Sequence, residues 1–450
     1  KQRMLFYSTL FQSFASPRLL AHKGERFTDT NGKIQTATYD RYGPVPFWDT
    51  GRNQIVLLEL MEPELVQNVM RSELDMARER GYMNTSFHGD NAVFLYLGAW
   101  KRGIPFDYAA AYEFLRRNAV DPKGPRGYLA EYQRNGWIAD EIPPGNPSPP
   151  YAGGKAGAAT TLEYAWDDHA LADFAERLGK TDDAKLFRAR ASNWRNVFDA
   201  SIGFARPKLA NGTWTTPYDP IALGHASKWR DYTESNGWQA TFLNQHDIYG
   251  LIAAMGGDAK FEQKLDGLFN APSTLPKDAP PDISGLVGQY AHGNEPSHHV
   301  AYMYAYCGAA WKTQAMVRRL LTEMYKDDPD GIIGNDDCGQ MSAWFVLSAL
   351  GLYPVDPVSA NYVLGGPLFD RAEMRVGAGK TLVVEARGNG PDRPYVQSVT
   401  WNGRPWTKSW IAHADIVRGG RLVFEMGATP NRDFGRAPAD RPPATTGVSR

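Results

Sequence analysis

The sequence predicts a mainly α-helical protein that ends in a small β-rich module, and three observations carry that expectation. From about residue 60 to residue 351 the strongly patterned segments recur at helical spacing, with long polar loops between them. After about residue 360 the pattern changes to short alternating runs bounded by turn residues. There is no convincing repeat, but serial helix pairs are compatible with an α/α toroid.

Each element follows from its residues. Leu65, Val66, Val69, Met70 and Ala77 fall on one helical face, as do Phe187, Ala191, Trp194 and Phe198, and Val317, Leu320, Leu321 and Met324. Thr181 is a candidate N-cap, and Gly351 a stop after the Gln340–Leu350 run. The loops 120–160 and 270–297 are rich in Gly, Pro and Asn, and loops of that length in a compact domain are usually functional. TLVVEA (381–386), YVQSVTWNGRPW (395–406) and RLVFEM (421–426) read as strands, with Asn402-Gly403 as a hairpin turn. The closing GRAPADRPPATTGVSR is Pro-rich and polar, and reads as a flexible tail. The expected division is a helical domain at 1–360, a β-rich module at 361–434 and a tail at 435–450.

Composition narrows the function classes. The chain has 450 residues, 42% hydrophobic and 22% charged, which is ordinary for a globular protein. A net charge of −1 offers no electrostatic reason for a nucleic-acid or anionic-membrane partner. No apolar run approaches the roughly 18 residues of a membrane span. No signal peptide opens the chain, so the protein is either intracellular or a mature or trimmed chain; Lys1 in place of Met, and MLFYSTLFQSF resembling mid-domain sequence, favour the second. Cys307 and Cys338 are too few for a disulfide framework, leaving either one bridge or two free thiols. The 13 Trp, 22 Tyr and 20 Phe are in excess. Sugar clefts use such rings as platforms, although large helical cores are aromatic-rich as well.

Four constellations could carry chemistry. HGNEPSHH (292–299) sets His292, His298, His299, Asn294 and Glu295 around Gly293 and Pro296. A helix start with Pro at its first position explains Pro296 and Ser297, but not the polar cluster before them. The spacing is wrong for a zinc helix; Asn294, Glu295, loop carbonyls and Gln289 offer hard oxygen ligands that suit calcium. GNDDCGQMSAW (334–344) puts Asn335, Asp336 and Asp337 before a helix. A cap accounts for one of the two acids, and the other needs a role as base or ligand. In RDYTESNGWQATFLNQHD (230–247), Glu234 stands between Tyr232 and Trp238 at a turn. It is either a helix-start acid or a carboxyl whose pKa desolvation raises, as a general acid requires. In PFWDTGR (46–52), Asp49 and Arg52 could be a local ion pair, or Trp48 and Asp49 could hold a sugar ring by stacking and a bridging carboxylate.

Two carboxylates across an aromatic-walled cleft is the pattern of glycoside hydrolysis. No nucleotide loop, nucleophile elbow or reactive-cysteine motif competes with it.

The motifs FWDTGR, TLEYAWDDHALADFA, YTESNGWQATFLNQHD, GLVGQYAHGNEPSHHVAYMY, AAWKTQ and GNDDCGQMSAWFVLSALGLYPV together resemble the calcium-dependent exo-α-mannosidases of glycoside hydrolase family 92, in order from about residue 5 to 370. The resemblance implies an (α/α)6 toroid as catalytic domain, inversion at the anomeric carbon, and a calcium ion that binds two hydroxyls of the terminal mannose. It implies Glu234 as the general acid, Asp337 as the general base with Asn335 and Asp336 close by, and Asp49 as a binder of distal mannose hydroxyls. Asn294 and Glu295 are implied in the calcium environment. An inverting pair is expected to hold its carboxyls about 6.5–9.5 Å apart. Trp48, Arg52, Trp238 and the three histidines are further candidate substrate contacts. The implied partner is a mannose-containing glycan, in a secreted, periplasmic or cell-surface setting. Members of the family usually also carry an N-terminal β-sandwich domain, and this chain starts after where it would end. The competing readings are a mannosyl-phosphodiester-cleaving relative, another inverting (α/α)6 glycosidase, and a degenerate carbohydrate-binding protein.

Overall fold

The computed structural model describes residues 2–140, 155–222, 231–277, 279, 281–377 and 379–444. Residues 141–154 of the expected loop 120–160 and residues 445–450 of the expected tail lie outside that range.

The helix Pro63–Arg80 shows how the sequence writes its elements. Pro63 supplies the fixed φ of a first helical position, Val66, Val69, Met70, Leu74 and Ala77 are buried along one stripe, and Gly81 ends it at φ +87°. Its neighbours Gln54–Met61, Ala92–Lys101 and Tyr108–Val120 pack into a core built from Leu58, Val69, Phe94, Leu97 and Leu115. The helix Gly157–Arg177 is buried along nearly its whole length and faces that core with Trp166, Leu171 and Phe174. A second, larger core joins Ile248–Ala254, Asp258–Asn270, Ala310–Glu323 and Gln340–Ala349 to the C-terminal strands. The protein is mainly helical with several small sheets.

Three local expectations change. Thr181 is the first residue of the helix Thr181–Arg190 rather than its cap; Lys180 holds the cap position without a side-chain bond, and Asp182 and Asp183 complement the dipole instead. The face through Phe187 and Phe198 is not one α-helix: it tightens into a 3-10 segment at Ala191–Val197, and Phe198 begins a two-residue strand paired with Phe204–Ala205. HGNEPSHH likewise yields a 3-10 turn at Glu295–Ser297, followed by a 3-10 run at Val300–Cys307.

The strands fall where the alternation placed them, at Lys380–Arg387, Tyr395–Trp401 and Gly420–Gly427. With Arg371–Val376 and Arg404–Pro405 they form a five-stranded sheet in which only the Lys380–Arg387 and Gly420–Gly427 pair is parallel. Asn402 and Gly403 make the hairpin turn at φ +50° and +77°. The first part of the expected tail is tied down: Arg441 Nη1 meets Asp258 Oδ2 at 2.7 Å, and the Tyr249 hydroxyl donates to the carbonyl of Pro442. Cys307 is buried and Cys338 exposed, both as free thiols, which removes the bridge. Among the described residues no helix is long and apolar enough to cross a membrane.

Candidate active site

Glu234 is held by its neighbours on three sides. The residue before it, Thr233, sets its hydroxyl 3.0 Å from Nε2 of His88. Its own carbonyl accepts from Asn294 Nδ2 at 2.9 Å, and the same amide donates to its carboxylate Oε2 at 3.1 Å. Two residues on, Asn236 caps the helix Gly237–Ala240 in a capping box with Gln239. That cap is locked in turn: Asn236 Nδ2 donates to Gln289 Oε1 at 2.8 Å, and Gln239 Nε2 to the Gln289 carbonyl. Glu234 itself has φ +44°. A non-glycine side chain there is uncommon and persists where the surroundings over-determine it.

Asp337 has the same property. It lies at φ +45°, followed by Cys338 at +60° and Gly339 at +92°. At Gly339 a Cβ would meet the Gln12 carbonyl at 2.7 Å, so the N-terminal helix Gln2–Gln12 requires glycine there. Gly339, not an acid, holds the cap position of Gln340–Ala349, while Asp336 serves the helix start from outside it: its Oδ1 accepts from the first-turn Ser342 amide at 2.9 Å. Asp337 is thereby left free of the helix.

The electrostatics join these loops. Burial raises the Glu234 carboxyl to about 8; Asp282 adds to the shift, Asn294 opposes it, and Asp49 and Asp337 add smaller amounts. Asp49 is raised to about 7 by burial and then by Asp337, with Arg52 opposing. Asp337 is raised by burial and by Asp282, offset in part by a side-chain hydrogen bond with Glu295. Glu295 is raised well above the usual carboxylate range by burial, then by Asp337 and Asp49. It is fully buried, and neither of its oxygens receives a hydrogen bond from an amide, hydroxyl or guanidinium. Five acids, Glu234, Asp337, Asp49, Glu295 and Asp282, therefore share one neighbourhood. Asp282 was missed by the sequence reading, and its one signal is its place in the loop 270–297.

Most of the other predicted site residues are engaged within the protein. Gln289, expected as a metal ligand, has its amide consumed: Oε1 accepts from Asn236, and Nε2 donates to the carbonyls of Pro272 and Thr274. Trp238, expected as a substrate contact, packs edge-on to Phe204 at 4.8 Å and under the Lys264 ammonium. Tyr232 hydrogen-bonds the Ala205 carbonyl. The three histidines are buried framework, because buried ring nitrogens need partners and each finds one in the protein. His292 lies between the hydroxyls of Tyr290 and Tyr325, each at 2.9 Å, and edge-on to Trp344. His298 lies against Gln340 and the His292 carbonyl, and His299 against Gln245 and the Phe242 carbonyl. Gln340 also accepts from the Asn53 and Gln54 amides, so one side chain ties three of the motifs together behind the acids.

Arg52 does not pair with Asp49. Its Nη2 donates to Glu163 at 3.2 Å, its Nε to the Trp48 carbonyl, and its guanidinium lies over the Trp48 and Trp166 rings. TLEYAWDDH thus supplies a buried ionic layer: Glu163 and Asp167 accept from Asn91, and Asp168 and Asp90 hold Arg126 at 2.7 and 2.8 Å. Trp48 is buried and reaches the site through Asp49. Asn335 is exposed at the rim.

Residues 1–428 match the family model described as the glycosyl hydrolase family 92 catalytic domain. The chain belongs to glycosyl hydrolase family 92. It superposes on a family 92 α-mannosidase of Bacteroides thetaiotaomicron in complex with mannoimidazole, with TM-score 0.89 and 31% identity, over 97% of this chain and 58% of that one. A family 92 inverting mannosidase of the same organism gives TM-score 0.83 and 32% identity, over 98% of this chain and 61% of the other. An uncharacterized secreted glycosidase of Arthroderma benhamiae is 28% identical over 397 residues, covering 80% of this chain and 48% of that protein. This family 92 chain therefore spans about half to three-fifths of the length of these relatives.

Proposed function

We propose that this protein is an exo-acting α-mannosidase that releases terminal α-linked mannose from glycans by an inverting mechanism. The observation that carries the reading is Glu234, a carboxyl gripped by Asn294 and raised to about 8 by burial and Asp282, in one cluster of acids with a second carboxyl, Asp337. Glu234 gives its proton to the leaving glycosidic oxygen while Asp337 takes a proton from water on the opposite face of the sugar. The C–O bond breaks as the water oxygen bonds to the anomeric carbon. Glu234 is left ionised and Asp337 protonated, and exchange with solvent restores both. In this reading Asp49 accepts hydrogen bonds from hydroxyls of the terminal sugar. The reading sets these loops on an (α/α)6 toroid, in a protein that acts outside the cytoplasm and carries a β-sandwich domain beyond this chain.

Calcium belongs to the same proposal. The fully buried Glu295 carboxyl receives no hydrogen bond from an amide, hydroxyl or guanidinium and lies among other acids, while Arg52, the cation that acts on it, is engaged by Glu163. Uncompensated hard oxygens of this kind suit a divalent cation. Among the described residues no group of three or more His, Cys, Asp or Glu is arranged to hold a metal. Glu295 with the Asn294 amide oxygen would therefore be the protein's share, and oxygens of water and substrate the rest. Calcium bound there would supply positive charge to neighbouring hydroxyl oxygens of the sugar.

Release of free mannose from α-linked mannobioses tests the reading, with Glu234→Gln as the control. Binding without release for every linkage would favour a carbohydrate-binding protein. Release only from mannosyl phosphodiesters would favour the phosphodiester-cleaving relative, for which an acid such as Glu234 is not needed.

A further inference from the structure

The segment Asn84–Asn91 was not singled out from the sequence, yet it bridges the two sides of the site. At one end the Trp48 amide donates to Ser86 Oγ at 3.4 Å, next to Asp49. At the other, His88 Nε2 lies 3.0 Å from the hydroxyl of Thr233, next to Glu234. Asn84 Nδ2 donates to the Val45 carbonyl, and Asn91 anchors the far end on Glu163 and Asp167. Burial lowers His88 to about 4, so this anchor keeps one charge state across the neutral range. Between the anchors stands Phe87, which is 41% exposed and has φ +55°. A large apolar side chain in that backbone region is uncommon and persists where its surroundings hold it. The ring packs in a T-shaped pair with the Trp48 indole, with centroids 5.0 Å apart and planes at 79°. Its two chain neighbours are Ser86, bonded beside Asp49, and His88, bonded beside Glu234.

We propose that Phe87 is a specificity-determining residue: its ring is the platform for the apolar face of the leaving sugar. This rests on the mannosidase reading, in which the group beside the acid Glu234 is the departing part of the glycan. A pyranose offers a face of C–H groups that packs on an aromatic ring as an apolar surface does, and a ring already held in place loses little freedom on binding.

The test compares an α-linked mannobiose with α-mannosyl fluoride, whose leaving group is not a sugar. Phe87→Ala and Phe87→Leu are expected to lower kcat/KM on the mannobiose by about three- to tenfold, through KM, with at most a twofold change on the fluoride. Phe87→Trp is expected to restore the mannobiose value. Equal losses on the two substrates would show a structural role and overturn the proposal, as would no loss on either. If the unsubstituted protein releases no mannose from any mannobiose, the mannosidase reading fails and this proposal with it. A working enzyme with an unchanged substrate ratio overturns the Phe87 role alone.

Discussion

Asn294 grips Glu234 twice, donating from one amide nitrogen to its backbone carbonyl at 2.9 Å and to its carboxylate at 3.1 Å. The first bond helps to hold a left-handed backbone at φ +44°. The second favours the ionised carboxyl and so opposes the burial and the Asp282 charge that raise it to about 8. Position and acidity are set by the same side chain.

Asn294→Ala removes both effects. Glu234 should become a weaker acid and a less well-placed one, so mannobiose hydrolysis falls by about 10–100-fold and the alkaline limb of the pH profile moves upward. A pH–rate profile at saturating calcium checks this; an unmoved limb would mean that Asn294 does not tune Glu234.

Glu234→Gln should lower kcat on a mannobiose by roughly 10²–10⁴-fold and cost far less on α-mannosyl fluoride, whose leaving group needs no proton. Asp337→Asn should impair both substrates, because the attacking water needs its base in each case. Equal losses for Glu234→Gln on the two substrates would remove the acid assignment. The unsubstituted enzyme should lose activity above a pH of about 8 as Glu234 ionises, and at acid pH as Asp337, itself raised, is protonated.

Stability carries the same signature. The Glu234 carboxyl is raised from 4.5 to about 8, so between those values the native state binds more protons than the unfolded chain. Its contribution is present below about pH 4.5 and is lost as pH rises through about 8. Glu234→Gln should therefore flatten the fall in Tm between pH 5.5 and 8.5 measured for the unsubstituted protein, and an identical slope would contradict the shifted carboxyl.

Chelation should abolish mannose release and added calcium restore it, while calcium at about 100 times its Kd should stabilise the protein by about 2.7 kcal/mol. Glu295→Gln should abolish that Tm shift. Full activity in excess chelator would dismiss the ion.

Gln340→Ala should destabilise without touching substrate. It leaves the buried Asn53 and Gln54 amides and His298 without their partner, a loss of about 2–4 kcal/mol. Chemical denaturation measures it; a cost under about 1 kcal/mol would mean that the knot is not structural.

Much of the fold was readable because local rules and tertiary packing agreed. The apolar stripe of Pro63–Arg80 is buried as its spacing marks, the Asn402-Gly403 turn joins the strands it was expected to join, and Lys380–Arg387 forms a strand where alternation placed one. Where they disagreed, packing won: the Phe187–Phe198 face breaks into three conformations, and the tail is held by Arg441 on Asp258. In the site, Glu234, Asp337, Asp49, Asn294 and Glu295 stood out as polar groups in loops or at helix ends where apolar segments begin. His292, His298 and His299 stood out for the same reason and proved to be buried framework, because sequence shows a polar group but not whether a partner already satisfies it.

By itself the sequence determined that the chain is mainly helical, which loops hold its acids, and that a helix starts just after Asp336 and Asp337. Only the tertiary structure decided that Asp336 bonds the first helical turn, that Asp282 joins the site, and that Phe87 packs on Trp48 beside Asp49. Helical and strand patterns are written between near neighbours, where periodicity and turn chemistry act. Burial, charge proximity and hydrogen-bond satisfaction arise between residues far apart in the chain, and these are what separate a carboxyl that can donate a proton from one that holds a helix.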